Sequence, residues 1–189
     1  MKRWVQYAAG AALYTTMAYV IDVPIRRALA ARQARAYANA RGLPMLNIGA
    51  GTGKSALFGT TLYGDTNVDL FGRKDVPHGT PGVVTFADAH DLSAFKAGQF
   101  GAVLASHVLE HLDDPRRALA EWHRVTANDP GALFIVTPSW WAPHTLLHPG
   151  HLWYFPDGSG CTTTTACKPT QLRENVSPVA AMLSLRGVQ

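Results

Sequence analysis

The sequence predicts an α/β fold: a doubly wound, mostly parallel sheet, shortened at its C-terminal end and preceded by N-terminal helices. Three observations predict it. Short apolar runs of buried-strand composition recur between residues 45 and 136. Helix-like segments alternate with them, the pattern of βαβ units. Each of the first four runs ends beside a glycine, an acid or a serine, where ligands sit in such sheets. A chain of 189 residues, 47% hydrophobic and 16% charged, can bury one core without a disulfide or metal staple. Its two cysteines, Cys161 and Cys167, form neither a disulfide framework nor a zinc knuckle pair, so a reducing, cytoplasmic setting is expected.

The first element is an N-terminal arm, residues 1–41. Trp4 to Ile21 is uncharged and close to the ~20 residues of a bilayer span. Gln6, Gly10, Thr15 and Thr16 dilute it, and Asp22-Val-Pro-Ile-Arg26 is no signal-cleavage site. Three readings stand open: a helix packed on the domain, an interfacial membrane helix, or a span. Pro24 is expected to break this helix from a second one over residues 25–40, with Gly42 as its C-terminal cap. Seven Lys and Arg lie in residues 1–41 against Asp22 alone; the rest of the chain carries ten against twelve acids. A basic arm on a slightly acidic body fits an anionic contact, a membrane surface or nucleic acid, or else a solvated helix face.

The central unit, residues 42–156, begins with the strand Met45-Leu-Asn-Ile48 and the turn Gly49-Ala-Gly-Thr-Gly53, after which Lys54 to Phe58 opens a helix. Glycines there let the backbone approach a ligand, and helix-start amides favour a polar group. Thr66-Asn-Val-Asp69 is a second strand ending in a carboxylate, the position that binds ribose hydroxyls in open α/β sheets. Val83-Val-Thr-Phe86 leads into Asp88, whose acid can accept from an adenine amino group. Ala102-Val-Leu-Ala105 runs into Ser106 and His107; a helix follows over Pro115–Val125, then the strand Leu133-Phe-Ile-Val136.

These stretches resemble the class I S-adenosylmethionine-dependent methyltransferases, and within them the methyltransferase type 11 branch, whose fold is Rossmann-like. The likeness rests on Leu46-Asn-Ile-Gly-Ala-Gly-Thr-Gly53, Asn67-Val-Asp69, Ala87-Asp-Ala89, Ala105-Ser-His-Val-Leu-Glu-His-Leu112 with Asp114-Pro115, and Pro130 to Pro138. The resemblance implies S-adenosylmethionine as cofactor. Gly49, Ala50, Gly51 and Gly53 would pass its methionine part, Asp69 its ribose and Asp88 with Ala89 its adenine, while Ser106 lines the wall. Asn47, Gly101 and Ala132 depart from the family pattern, where an acid, an acid and a glycine are usual.

Methyl transfer from a sulfonium needs alignment more than acid–base power, with a base only for an acceptor that must lose a proton. His107 is the first choice for that base, and His111 sits one helical turn on, on the same face; a histidine there can equally cap or pack. His107-Val-Leu-Glu-His111 also matches an inverted zinc-protease pattern, but no metal ligand set is assigned on five letters. Gly51-Thr-Gly-Lys-Ser55 resembles the end of a phosphate-binding loop, yet Ile48 occupies the position of its first glycine.

After the fifth strand come Trp140-Trp141, His144, His148, His151 and Trp153-Tyr-Phe155. In related methyltransferases a His-Leu-x-x-Phe segment here builds the acceptor pocket; a packed loop is the plain alternative. Residues 157–189 read as irregular, interrupted by Pro169 and Pro178, and a second copy or partner chain can complete the sheet edge. The reading is methyl transfer to a small-molecule, glycan-precursor or lipid-precursor acceptor. A methyltransferase-like binding or scaffold domain, membrane-attached or not, is the alternative, and a P-loop-like nucleotide hydrolase the next. A nucleic-acid acceptor is disfavoured, because the basic residues are confined to the arm and no base-flipping motif follows the fourth strand.

Overall fold

The computed structural model describes residues 2–51, 56–57, 60–129, 132–138, 148, 150–155 and 173–174. Gly53, the Lys54-Ser55 pair, Trp140, Trp141, His144, both cysteines and most of residues 157–189 lie outside them.

The chain opens with one helix, α1 (Lys2–Ala40). Pro24 lies inside α1 and does not divide it, a correction to the two-helix expectation. The missing N–H and the ring clash cost about 3 kcal/mol, which a 39-residue helix with a buried C-terminal half absorbs. The helix ends in a Schellman motif: Gly42 at φ 63° donates to Asn39 O and Leu43 N donates to Ala38 O. No helix among the described residues is long and apolar enough to cross a membrane. Tyr7, Leu13 and Met17 are exposed on this segment.

Nine strands follow among the described residues: β1 (Met45–Ile48), β2 (Ala56–Leu57), β3 (Thr60–Thr61), β4 (Thr66–Asp69), β5 (Val84–Phe86), β6 (Ala102–Ser106), β7 (Leu133–Val136), β8 (Trp153–Tyr154) and β9 (Arg173–Glu174), with α2 (Pro115–Val125) between β6 and β7. β1, β4, β5, β6 and β7 form one all-parallel sheet in the order β5-β4-β1-β6-β7. The order reverses at β1, and the crevice at its carboxyl end is where such sheets bind ligands.

The strands alternate strictly between faces. Leu46, Ile48, Val68, Val103, Ala105, Leu133 and Ile135 pack with Trp122, Ala118 and Val125 of α2. Met45, Ala102, Leu104, Phe134 and Val136 pack against Ala30, Ala31, Ala34 and Ala38 of α1. Small α1 side chains let the helix lie close to the sheet, and Gly101 completes the fit: a Cβ there would meet Ala38 Cα at 2.9 Å. This explains one departure from the family pattern, since an acid at residue 101 would collide with the helix. Asn47, another departure, is buried beside its register partner Asn67, with Nδ2 3.4 Å from Asn67 Oδ1. Arg35 and Arg41 of the basic arm pair with Asp65 and Asp129 of the sheet unit.

The strand–helix alternation is sparser than expected. Among the described residues, 49–65, 70–83 and 87–101 contain no α-helix. Pro77, Pro81, Gly79 and Gly82 divide 70–83 into turns, with Thr80 N bonded to Pro77 O and Val83 N to Thr80 O. The helix expected to open at residues 54–58 is absent at its described end. Ala56–Leu57 is instead one arm of a short antiparallel hairpin with the β-branched pair Thr60–Thr61. That helix is also what a phosphate-binding loop would require.

Candidate functional site

The turn after β1 is built by backbone geometry. Gly49 and Gly51 adopt φ 69° and 68°, values that L side chains rarely take. Gly49 N and Ala50 N both donate to Val68 O on β4, at 2.9 and 3.1 Å. A Cβ on Gly49 would lie 2.2 Å from Val108 Cγ2, whereas one on Gly51 would meet nothing within 4 Å among the described residues. Gly49 is therefore fixed by both φ and packing, and Gly51 by φ alone.

Asp69 closes β4 and turns towards this loop. Its Oδ2 accepts from Gly51 N at 2.9 Å and its Oδ1 from Phe71 N at 3.0 Å. Each oxygen retains a lone pair for a ligand. Leu70 and Phe71 stand exposed at the rim beside it.

A half-open cavity of about 270 Å³ lies at these strand ends. Ile48, Gly49, Asp69, Ala87, Ala89, His107, Val108, His111 and Leu112 are among its lining residues. Of the sequence-predicted residues, Gly49, Asp69, Ala89, His107 and His111 thus converge on one cleft, with Gly51 bonded to Asp69 at its edge. Asp88 does not join them. Its Oδ1 accepts from His90 N and approaches His90 Nδ1, both at 2.8 Å. The His90 amide, then its ring, holds the Asp88 carboxyl below the usual carboxylate range. Gly53 lies outside the described residues.

Ala89 is held from beneath. Trp122 of α2 is fully buried and its Nε1 donates to Ala89 O at 3.0 Å. Glu121 accepts from Leu92 N at 2.9 Å, and Arg124 reaches Phe95 O and Leu92 O. Asp114 caps α2 by accepting from Arg117 N at 3.0 Å, and Pro115 takes the first helical position.

The other wall is made by the turn after β6. Ser106, at the end of β6 and not among the lining residues, is buried, and its Oγ has no hydrogen-bond partner among the described residues. His107 adopts φ 58°, a strained value for a residue with a side chain, held by its N–H bond to Val136 O at 2.8 Å. Leu109–His111 is one short 3₁₀ turn. His107 and His111 therefore do not share a face of an α-helix, a second correction, because the chain reverses hand at His107 before any turn forms.

Glu110 is a residue the sequence reading left without a role. It is fully buried, neither carboxylate oxygen has a hydrogen-bond partner among the described residues, and Oε1 lies 3.4 Å from His107 Nδ1. The buried Nε2 of His107 also has no partner among the described residues. The signal was the pairing of His107 with Glu110 three residues on, in the stretch resembling a metal motif.

Residues 148–155 dock against this turn. Leu152 N donates to Glu110 O at 2.8 Å, Trp153 Nε1 to Leu112 O at 2.6 Å, and His111 Nδ1 bonds Gly150 O at 2.7 Å. The aromatic segment after the fifth sheet strand thus packs on this turn, with Phe155 against the main core.

No curated protein and no solved structure matches the chain. Residues 46–135 match the family model described as a methyltransferase domain, a span that runs from β1 to β7 and contains every described lining residue of the cleft. That span, just under half of the chain, resembles the class I S-adenosylmethionine-dependent methyltransferase domains.

Proposed function

We propose that the cleft binds S-adenosylmethionine and that the protein methylates a small-molecule, glycan-precursor or lipid-precursor acceptor. The observation that carries this is the Asp69 carboxylate, fixed by two backbone amides beside a glycine turn where a Cβ on Gly51 would meet nothing within 4 Å among the described residues. The residues present fit the cofactor. Asp69 offers lone pairs to a pair of ribose hydroxyls, Ile48, Ala87, Ala89 and Val108 offer an apolar wall, and the exposed ring of Phe71 can cover a base.

When bound, the cofactor supplies a methyl group already activated on a sulfonium. The chain's own task is alignment and, for a protic acceptor, proton removal. Asp69 and the Gly49 turn hold one wall of the cleft in register through β1 and β4. His107 offers Nε2 as the proton acceptor, and Glu110 orients the ring from the Nδ1 side. A buried carboxylate would also stabilise the imidazolium that forms. Hydrogen bonds of this kind commonly tighten only with substrate in place, which accommodates the 3.4 Å separation.

Calorimetric titration of the full chain with S-adenosylmethionine tests the reading. The expected result is saturable heat that is lost in Asp69→Ala. Absence of heat with folded wild-type protein would leave the binding or scaffold reading instead. A screen of acceptor classes with labelled methyl donor then identifies the product.

A further inference from the structure

His111, His148 and His151 come together at the rim of the cleft, although 37 residues of sequence separate the first from the second. One ring nitrogen from each lies within 4.8 Å of the others. The rings of His148 and His151 stack at 4.4 Å, and that of His111 meets them edge-on at 5.6 and 4.8 Å. Gly150 makes the approach feasible: a Cβ there would press on His148 Cε1 at 3.2 Å and His111 Nδ1 at 3.4 Å.

The backbone of Gly150 also sets the nitrogens. A carbonyl can only accept, so the 2.7 Å contact to Gly150 O puts the proton of His111 on Nδ1 and leaves a lone pair on Nε2. An imidazole whose Nδ1–H is held by a backbone carbonyl is the usual arrangement of a metal-ligating histidine. An amide can only donate, so Gly150 N at 3.1 Å finds a lone pair on His148 Nδ1. Coordination through that atom exchanges one weak bond for a metal–nitrogen bond.

We propose that His111, His148 and His151 form a binding site for a divalent transition metal of the zinc class. Three neutral imidazoles suit zinc, cobalt, nickel or copper and disfavour magnesium and calcium. Metal–nitrogen bonds of about 2.0–2.1 Å draw the nitrogens closer than they stand here, by rotation of rings of which two are exposed. Three protein ligands leave a fourth position, and because His111 lines the cleft that position opens towards it. Water or an acceptor oxygen would occupy it. The site is independent of cofactor binding, and its test needs no methyl donor.

Full-length protein, stripped with a chelator and dialysed, is titrated with Zn²⁺ by calorimetry and with Co²⁺ by visible absorption. One ion per chain is expected, with the intense d–d bands of a low-coordinate cobalt site. His148→Ala, at an exposed ring that can be removed without disturbing the core, should weaken binding by about 100-fold or more, beyond what loss of an outer partner costs. His148→Cys should restore binding and add a thiolate-to-cobalt charge-transfer band, which a purely structural histidine would not produce. His107→Ala should leave the affinity unchanged. The proposal is overturned if no one-to-one saturation occurs, if His148→Ala binds as wild type, or if His107→Ala abolishes binding, which would move the ion to the His107-Glu110-His111 set.

Discussion

The two walls of the cleft are made in different ways. One is backbone: Gly49 and Ala50 amides on Val68 O, Gly51 and Phe71 amides on the Asp69 carboxylate. Its parts come from consecutive neighbouring strands in parallel register. The other is side chain: His107 at a strained φ, a buried Glu110 whose carboxylate has no hydrogen bond among the described residues, and three imidazoles drawn from two distant segments. A wall of amides in register is fixed as soon as the sheet forms and suits recognition of a constant ligand. On the proposed function, a wall of titratable side chains would hold the reactivity and could vary with the acceptor. The two touch at Val108, whose methyl sits against Gly49.

That contact is where the contrast breaks most easily. Gly49→Val adds a branched side chain at φ 69°, into a space where even a Cβ would be 2.2 Å from Val108 Cγ2. Backbone strain of ~1–3 kcal/mol and overpacking of ~1–3 kcal/mol should combine to a loss of about 2–6 kcal/mol. Urea unfolding should show it, and S-adenosylmethionine heat should vanish. Gly49→Ala combined with Val108→Ala should recover the packing part and leave the φ part; full recovery would show that φ does not matter there.

The histidine wall can be altered alone. His107→Gly removes the imidazole at a position where glycine accepts φ 58° freely. Turnover of a protic acceptor should fall by about 100-fold, roughly 3 kcal/mol of barrier, while cofactor affinity holds. Folding stability should change by less than about 1 kcal/mol, since relief of strain offsets lost contacts. A variant that methylates normally would assign proton removal elsewhere.

Asp69→Asn probes the backbone wall more gently. One amide oxygen can still accept from Gly51 N, but the amide nitrogen then faces the N–H of Phe71, donor against donor. Cofactor affinity should fall about 10-fold, some 1.4 kcal/mol, as a charge-assisted contact is lost. An unchanged titration would place the ribose away from this residue.

This division also explains what was legible beforehand. The five parallel strands, α2 and the turn from Gly49 to Gly51 are local patterns: apolar runs, an Asp114-Pro115 helix start, glycines at strand ends. The place of Asp69 in the cleft was legible because it follows from position at a strand tip. Asp88 was located but not oriented, since nothing in Asp88-Ala-His90 announces that the histidine turns back onto the acid. The expected helix after the turn gave way to a hairpin because residues 56–61 are short and end in β-branched threonines. Pro24 was read by its local rule, whereas burial of the alanine face beyond it supports a continuous helix. The imidazole cluster could not be seen at all, because it depends on residues 148–155 folding back onto residue 110.

The smallest expected effect lies beneath the backbone wall, in its response to acid. Arg124 holds the Glu121 carboxyl below its usual range, and burial lowers the His123 imidazole. For Glu121, the unfolded chain takes up its proton first, near pH ~4.3, so the stability it contributes is complete above that value and is lost as pH falls through the depressed one. For His123 the same sign applies from about pH 6.5 downward, since the native state resists a proton that the unfolded state accepts. The acid limb of a urea-stability profile should therefore descend in two steps. His123→Gln should flatten the upper step and Glu121→Gln the lower, each by under about 1 kcal/mol, because both groups retain contact with water. Glu121 carries Leu92 N, and the same loop presents Ala89 to the cleft, so cofactor affinity should weaken along the lower step and not the upper. Loss along the upper step instead would tie cofactor binding to His123 at the end of α2, and not to the loop that presents Ala89.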